Sequence, residues 1–217
     1  MIEQPTRIIR WVIILCLAFI CLSGCTLNSI TAQQEKATGL WEELIGGKSF
    51  GQSFVSVRNN LYLIDLSTAT YSRVNSAPVI FSLKNNPQDI ATIFSIELTG
   101  SEIQNDRPTS IVFPPIPDSA GKSFYFSIES PEATPGNAIT VYANEKNQYV
   151  DGSAYQNNQM VSGDLVFTAY SHETFTCLGV LRDIESRVAN DVPFFIFFAA
   201  LILTVCVILV LSFRRST

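Results

Sequence analysis

Phe124-Tyr125-Phe126-Ser127-Ile128-Glu129 decides the fold class, because large apolar residues occupy every second position and more polar neighbours fill the gaps. Successive side chains of a strand point to opposite faces, so this stretch buries one face and offers the other. The same period returns in Val79, Phe81 and Leu83 against Ile80, Ser82 and Lys84, and in Ile139 and Val141 against Thr140 and Tyr142. It returns once more in Leu165, Phe167 and Ala169 against Val166, Thr168 and Tyr170. Turn clusters separate the runs: Asn59-Asn60, Asn85-Asn86-Pro87, Asp118-Ser119-Ala120-Gly121, Thr134-Pro135-Gly136-Asn137, Asp151-Gly152-Ser153 and Ser162-Gly163-Asp164. Short strands between such turns, with no helical period among them, predict an all-β antiparallel β-sandwich over residues 49–172. Pro114-Pro115-Ile116-Pro117 cannot serve a central strand, since proline donates nothing to a ladder; it is expected at an edge or in a crossover.

Outward from this domain the period changes. Upstream, Ser29 to Ile45 is rich in helix-tolerant residues (Gln33, Gln34, Glu35, Lys36, Ala37, Leu40, Glu42) and stops at Gly46-Gly47. Residues 31–48 are therefore expected to form a short membrane-proximal helix or stalk, with Trp41 either at the headgroups or packed on the sandwich. Downstream, Phe175, Leu178, Leu181, Ile184 and Val188 recur every three or four residues among Arg182, Asp183, Glu185 and Arg187. That spacing predicts an amphipathic linker helix over residues 173–191, lying on the base of the domain or on a partner.

Both ends are apolar. Residues 192–213 are 22 positions without a charge, and Arg214 and Arg215 follow in a four-residue tail, 214–217. A helix of that length spans about 33 Å, enough for a hydrocarbon core of about 30 Å, and Pro193 fits its first turn. Basic residues stay on the cytoplasmic side, so the expected topology is a transmembrane helix with its C-terminus cytoplasmic and the sandwich outside. At the other end Arg7 and Arg10 precede an apolar run from Trp11 to Leu22. Residues 1–30 admit three readings. Leu22-Ser23-Gly24-Cys25 resembles a bacterial lipobox, in which small residues let a peptidase close and the Cys25 thiol takes the lipid. Alternatively the run continues through Cys25, Leu27 and Ile30 as an uncleaved signal anchor, or a signal peptide is simply removed. All three leave the sandwich extracytoplasmic, between flanking N- and C-terminal membrane segments.

Composition agrees. The mean hydropathy of +0.24 is concentrated at the ends. Of 14 basic residues four lie there, so residues 31–191 keep ten against 18 of the 19 acidic residues, a net of −8. Nucleic acid rewards basic clusters through counterion release and is excluded as a partner. Cys16, Cys21 and Cys206 lie in apolar runs, Cys25 at the lipobox and Cys177 alone, a pattern of neither a disulfide framework nor a metal site.

Several blocks then resemble a known module: Gly51-Gln52-Ser53-Phe54-Val55, the run Phe113-Pro114-Pro115-Ile116-Pro117-Asp118-Ser119-Ala120-Gly121-Lys122, the run Ser130 to Ile139, and Gly163-Asp164-Leu165-Val166-Phe167. Residues 49–170 look like a jelly-roll-like β-sandwich found as an extra domain in large bacterial polytopic proteins, many similar to dolichyl-phosphate-mannose-type glycosyltransferases. The resemblance implies a jelly-roll, galactose-binding-like fold, an exported setting and sugar chemistry nearby. It supplies no catalytic motif, and the multispan transferase portion has no counterpart here. Sandwiches similar to carbohydrate-binding modules often hold structural calcium through loop oxygens, which makes Asp118, Asp151 and Asp164 the calcium candidates; turn aspartates also serve backbone hydrogen bonds.

The residues offer little for catalysis. The single histidine, His172, stands beside Glu173 at the exit of the sandwich, where a surface role is expected rather than a triad. Glu97, Glu129 and Glu145 fall on predicted solvent faces or turns, and Gly46-Gly47-Lys48 lacks the rest of a phosphate loop. Tyr125, Tyr142 and Tyr170 all lie opposite the aliphatic faces and could form a shelf for a sugar ring, or fill cross-strand pairs. The expectation is a non-catalytic, membrane-anchored module that binds carbohydrate or another envelope component. The alternative is an accessory subunit of a polytopic envelope complex. No resident cofactor is expected beyond the calcium candidates.

Overall fold

The structure, a computed structural model, describes residues 25–175, 188, 191–197, 199, 200, 203 and 204. Asn28–Glu173 form one compact unit, and the described residues beyond it are taken separately below.

The unit is built from two antiparallel sheets. The larger contains β1 (Cys25–Gln34), β2 (Gly39–Leu40), β4 (Leu61–Ala69), β7 (Arg107–Ile116), β9 (Thr140–Asn144), β12 (Asp164–Leu165) and β13 (Phe167–Phe175). Its order is β1-β13-β4-β9-β12, with β2 added to β9 and β7 to β4. The smaller sheet contains β3 (Ser49–Ser56), β5 (Val79–Lys84), β6 (Phe94–Leu98), β8 (Lys122–Glu129), β10 (Ala154–Gln156) and β11 (Gln159–Val161), in the order β11-β10-β3-β8-β5-β6. All four alternating runs of the sequence fall on strands, the last divided between β12 and β13 at Val166.

The core lies where the inward residues of the two sheets meet. Phe54 of β3 packs its ring 5.8 Å from Phe124, 6.2 Å from Phe126 and 5.6 Å from Phe167 on the facing sheet. All four are at most 1% exposed. Each such ring contributes about 1.5–3 kcal/mol relative to leaving it in water, so this cluster clamps the sheets together. The turns do their expected work: Asn60 (φ 62°) reverses the chain between β3 and β4, and Gly163 (φ 100°) sits where a β-carbon would strike the carbonyl of Asn144. The proline-rich stretch lies at an edge, for among the described residues β7 pairs only with β4.

The largest departure from expectation is at 31–48, where a helix or stalk was expected. Residues 25–34 are strand β1, residues 39–40 are β2, and both belong to the larger sheet. The sandwich therefore starts well before Ser49. Helix-tolerant residues have only a slight intrinsic preference, and pairing with β13 and β9 outweighs it. The same strand places Cys25, Leu27 and Ile30 in the larger sheet, past the end of any apolar segment formed by the first run.

The chain enters and leaves this unit at one end. The Tyr62 hydroxyl hydrogen-bonds to the Asn28 side chain, and the Tyr62 ring stacks on His172 with centroids 3.5 Å apart. Nearby, Arg58 N–H donates to Thr31 Oγ1 at 2.9 Å and the Arg58 side chain pairs with Glu173.

Beyond the sandwich, the linker helix expected over 173–191 lies mostly outside the described residues, although β13 runs through Phe175. The span expected over 192–213 is described only in part, at residues 192–197, 199, 200, 203 and 204, which are helical. Asp191 caps its start: Phe194 N–H donates to Asp191 Oδ1 at 3.1 Å and Phe195 N–H to the Asp191 carbonyl at 2.9 Å. No helix among the described residues is long and apolar enough to cross a membrane. The segment expected over residues 1–24 lies outside the described residues.

Candidate functional site

The three tyrosines do not share a shelf. Tyr125 belongs to β8 of the smaller sheet, whereas Tyr142 on β9 and Tyr170 on β13 belong to the larger one. Tyr125 is also fully buried: its ring lies against the backbone of Gly51, meets Tyr155 edge-on at 5.2 Å, and its hydroxyl donates to Asn158 Oδ1 at 3.1 Å. Burial pushes that hydroxyl up to about 12. Tyr142 and Tyr170 are partly exposed. The Tyr142 hydroxyl donates to Asp106, which holds its pKa above the usual value; burial raises that of Tyr170, and the Asp65 carboxylate adds to the effect. These two remain on one sheet, without the third.

The calcium candidates are likewise apart. Asp118 and Asp151 are exposed turn residues, whereas Asp164 is fully buried. Its Oδ1 accepts from Gln52 Nε2 at 3.2 Å, and its Oδ2 accepts from the backbone N–H groups of Gln148 at 2.6 Å and Tyr149 at 2.9 Å. Gln52 in turn accepts from Leu165 N–H at 2.9 Å. Asp164 thus ties the loop after β9 to β3 and β12, a use that fills both its oxygens. Among the described residues no group of three or more His, Cys, Asp or Glu is placed to hold a metal.

The acid–base candidates are dispersed in the same way. His172 is stacked on Tyr62, and Glu173 is turned to Arg58 rather than to the imidazole. Glu129 and Glu97 flank Ile80 across the sheet, two strand spacings or about 10 Å apart, both exposed. Glu145 lies elsewhere, past the end of β9.

What the structure does assemble is a cleft of about 370 Å³ at the lateral edge where β2 borders β9. It is lined by Thr38, Gly39, Leu40, Trp41, Ala143, Asn144, Glu145 and Ser162. Three backbone bonds lay this edge down: Thr38 N–H to Ala143 O at 2.9 Å, Trp41 N–H to Val141 O at 2.8 Å and Leu44 N–H to Ile139 O at 2.9 Å. Trp41 packs on the sandwich, its indole parallel to the buried Phe50 ring at 5.3 Å and 4°. Thr38 Oγ1 accepts from Glu145 N–H at 3.0 Å, and Asn144 Nδ2 donates to the Lys36 carbonyl at 2.9 Å, so the rim is tied to both strands. Of the residues singled out in the sequence, Trp41 and Glu145 line this cleft, the first expected at the headgroups or on the sandwich and the second on a solvent face or turn. The cleft itself could not be read, because a helix was expected where β2 lies.

Comparison with known proteins gives no match, either to a protein-family model or to a curated sequence.

Proposed function

We propose that this chain is a non-catalytic binding protein, anchored to the cell membrane, that displays its sandwich on the extracytoplasmic side and binds a glycan of the envelope. The observation that carries the reading is the lateral cleft with a tryptophan held rigid at its wall. Sites of this kind are concave, mostly apolar and equipped with a few polar groups. The jelly-roll, galactose-binding-like kinship expected from the sequence belongs to the same proposal.

Support for the anchors comes from the ends. In the C-terminal helix Phe195, Ile196, Phe197 and Leu203 are 50%, 62%, 67% and 68% exposed, an apolar surface suited to lipid. At the N-terminal side, β1 begins at Cys25 and leaves the uncharged run Trp11 to Gly24, 14 residues, ahead of it. As a helix that run measures about 21 Å, short of a hydrocarbon core of about 30 Å. The length favours cleavage and lipid attachment at Cys25 over a retained span. With Asn28 and His172 both at Tyr62, the chain leads to the two attachments from one end of the sandwich.

The test is retention of the full-length chain, in lipid nanodiscs, on immobilised envelope polysaccharides, together with protease treatment of intact cells. Retention on a polysaccharide and digestion of the sandwich from outside support the reading. A sandwich protected from external protease defeats it. So does a chain that ignores every polysaccharide yet co-purifies with a polytopic membrane protein only while residues 192–213 are present; that result would install the accessory-subunit reading instead.

A further inference from the structure

Resting on that reading, we infer that the glycan site is the Trp41 cleft and that its ligand is an uncharged pyranose, seated with its C–H face on the indole and its hydroxyls toward Glu145.

The stacking platform comes first. Phe50 is fully buried and backs the indole in a nearly parallel stack, which reduces the freedom Trp41 loses when a sugar ring settles on it. An indole offers a flat apolar body, and the C–H face of a pyranose matches it. At about 370 Å³ the cleft is within the range of small-ligand sites.

The polar rim then selects. Thr38 Oγ1 is occupied by Glu145 N–H, and the Asn144 amide is occupied at both atoms, by the Lys36 carbonyl and by Lys146 N–H. These groups hold the shape and have little left to offer. The carboxylate of Glu145 is different: among the described residues no protein donor engages it, and it is exposed at the rim. A lone carboxylate accepts hydrogen bonds from neighbouring hydroxyls and repels anions. The lining contains neither Lys nor Arg. Uronates, sialylated chains and phosphate-bearing polymers are therefore rejected, and the chain's acidic balance of −5 acts in the same direction.

Gly39 supplies a clean test. It lies on the wall of the cleft, exposed, and a β-carbon there meets nothing within 4 Å. Gly39→Leu therefore adds bulk at the lining of the cleft without a clash in the sheet, whereas Trp41→Ala also removes a core contact. The experiment measures binding of the full-length chain in nanodiscs to neutral oligosaccharides of glucose, galactose, mannose and N-acetylglucosamine, with polygalacturonate as the anionic control. The expected result is binding to at least one neutral oligosaccharide that falls tenfold or more in Gly39→Leu at unchanged Tm. It falls similarly in Trp41→Ala and several-fold in Glu145→Gln, and polygalacturonate does not compete. Binding that Gly39→Leu leaves intact, or that polygalacturonate displaces, overturns the site while leaving the glycan-binding reading standing. Absence of binding to every neutral and anionic glycan overturns both.

Discussion

The ring of Tyr125 occupies the space that a β-carbon on Gly51 would take, one strand across the smaller sheet. A glycine in mid-strand ordinarily weakens it, through chain entropy and the loss of a packing side chain. Here the missing side chain is what lets a tyrosine lie down on the sheet and be sealed by Tyr155 and Asn158.

Gly51→Ala should therefore destabilise the chain by about 1–3 kcal/mol through overpacking. Tyr125→Ala should cost about 3 kcal/mol through lost burial. The double variant should cost clearly less than the two together, because without the Tyr125 ring an alanine at position 51 has nothing to clash with. Urea unfolding of the four proteins checks this, and strict additivity would refute the contact.

Asp164 should behave as a structural carboxylate. Asp164→Ala takes the acceptor from the part-buried N–H groups of Gln148 and Tyr149 and leaves Gln52 without its buried partner, and should lower stability by about 1–3 kcal/mol. Tm should be the same in calcium and in chelator, since both carboxylate oxygens are filled by protein donors. A calcium-dependent rise in Tm that Asp164→Ala abolishes would reverse this assignment.

Alkaline pH should loosen the fold over a defined window. The Tyr125 hydroxyl ionises at about 12 in the folded chain against 10.0 unperturbed, so between those values the folded state holds a proton that the unfolded state has released. Stability is then full below pH 10.0 and falls as pH rises toward about 12, by roughly 2 kcal/mol. Burial raises Tyr149 as well, and its effect has the same sign. Absorbance titration of phenolate should show a late-ionising tyrosine that disappears in Tyr125→Phe.

Lipid attachment at Cys25 predicts that cells fed labelled fatty acid transfer label to this chain and not to Cys25→Ala. The variant should also persist as a longer, uncleaved form on a denaturing gel. Equal labelling of both proteins would rule out this thiol as the acceptor.

The strands most legible in the sequence were those with one wet face and one dry face. Phe124 to Glu129 and Val79 to Lys84 show an unbroken period of two because each lies inside a sheet with one face on the core. Strand β1 left no such trace: Gln33 is exposed while Thr31, Ala32 and Gln34 are buried, so polar residues line its inner positions and the helix-tolerant composition misled. Tyr125 shows a second limit. Alternation put it correctly opposite Phe124 and Phe126, but its burial depends on Gly51 and the β10–β11 turn, far away in the chain. The cleft was hidden for the same reason, since Trp41 and Glu145 meet only once the first strands have joined the sheet.

One margin of the larger sheet is β7, and Pro108, Pro114 and Pro115 take three amide hydrogens out of it. Unpaired strand margins invite a neighbour's backbone to extend the ladder. Copies held side by side in a plane would meet at such margins often, and at these three positions a docking rung is removed by covalent ring closure. That interruption, unlike a guarding charge, persists at any salt concentration or pH, so a continuous ladder along this side is disfavoured even where the sandwich is densely packed.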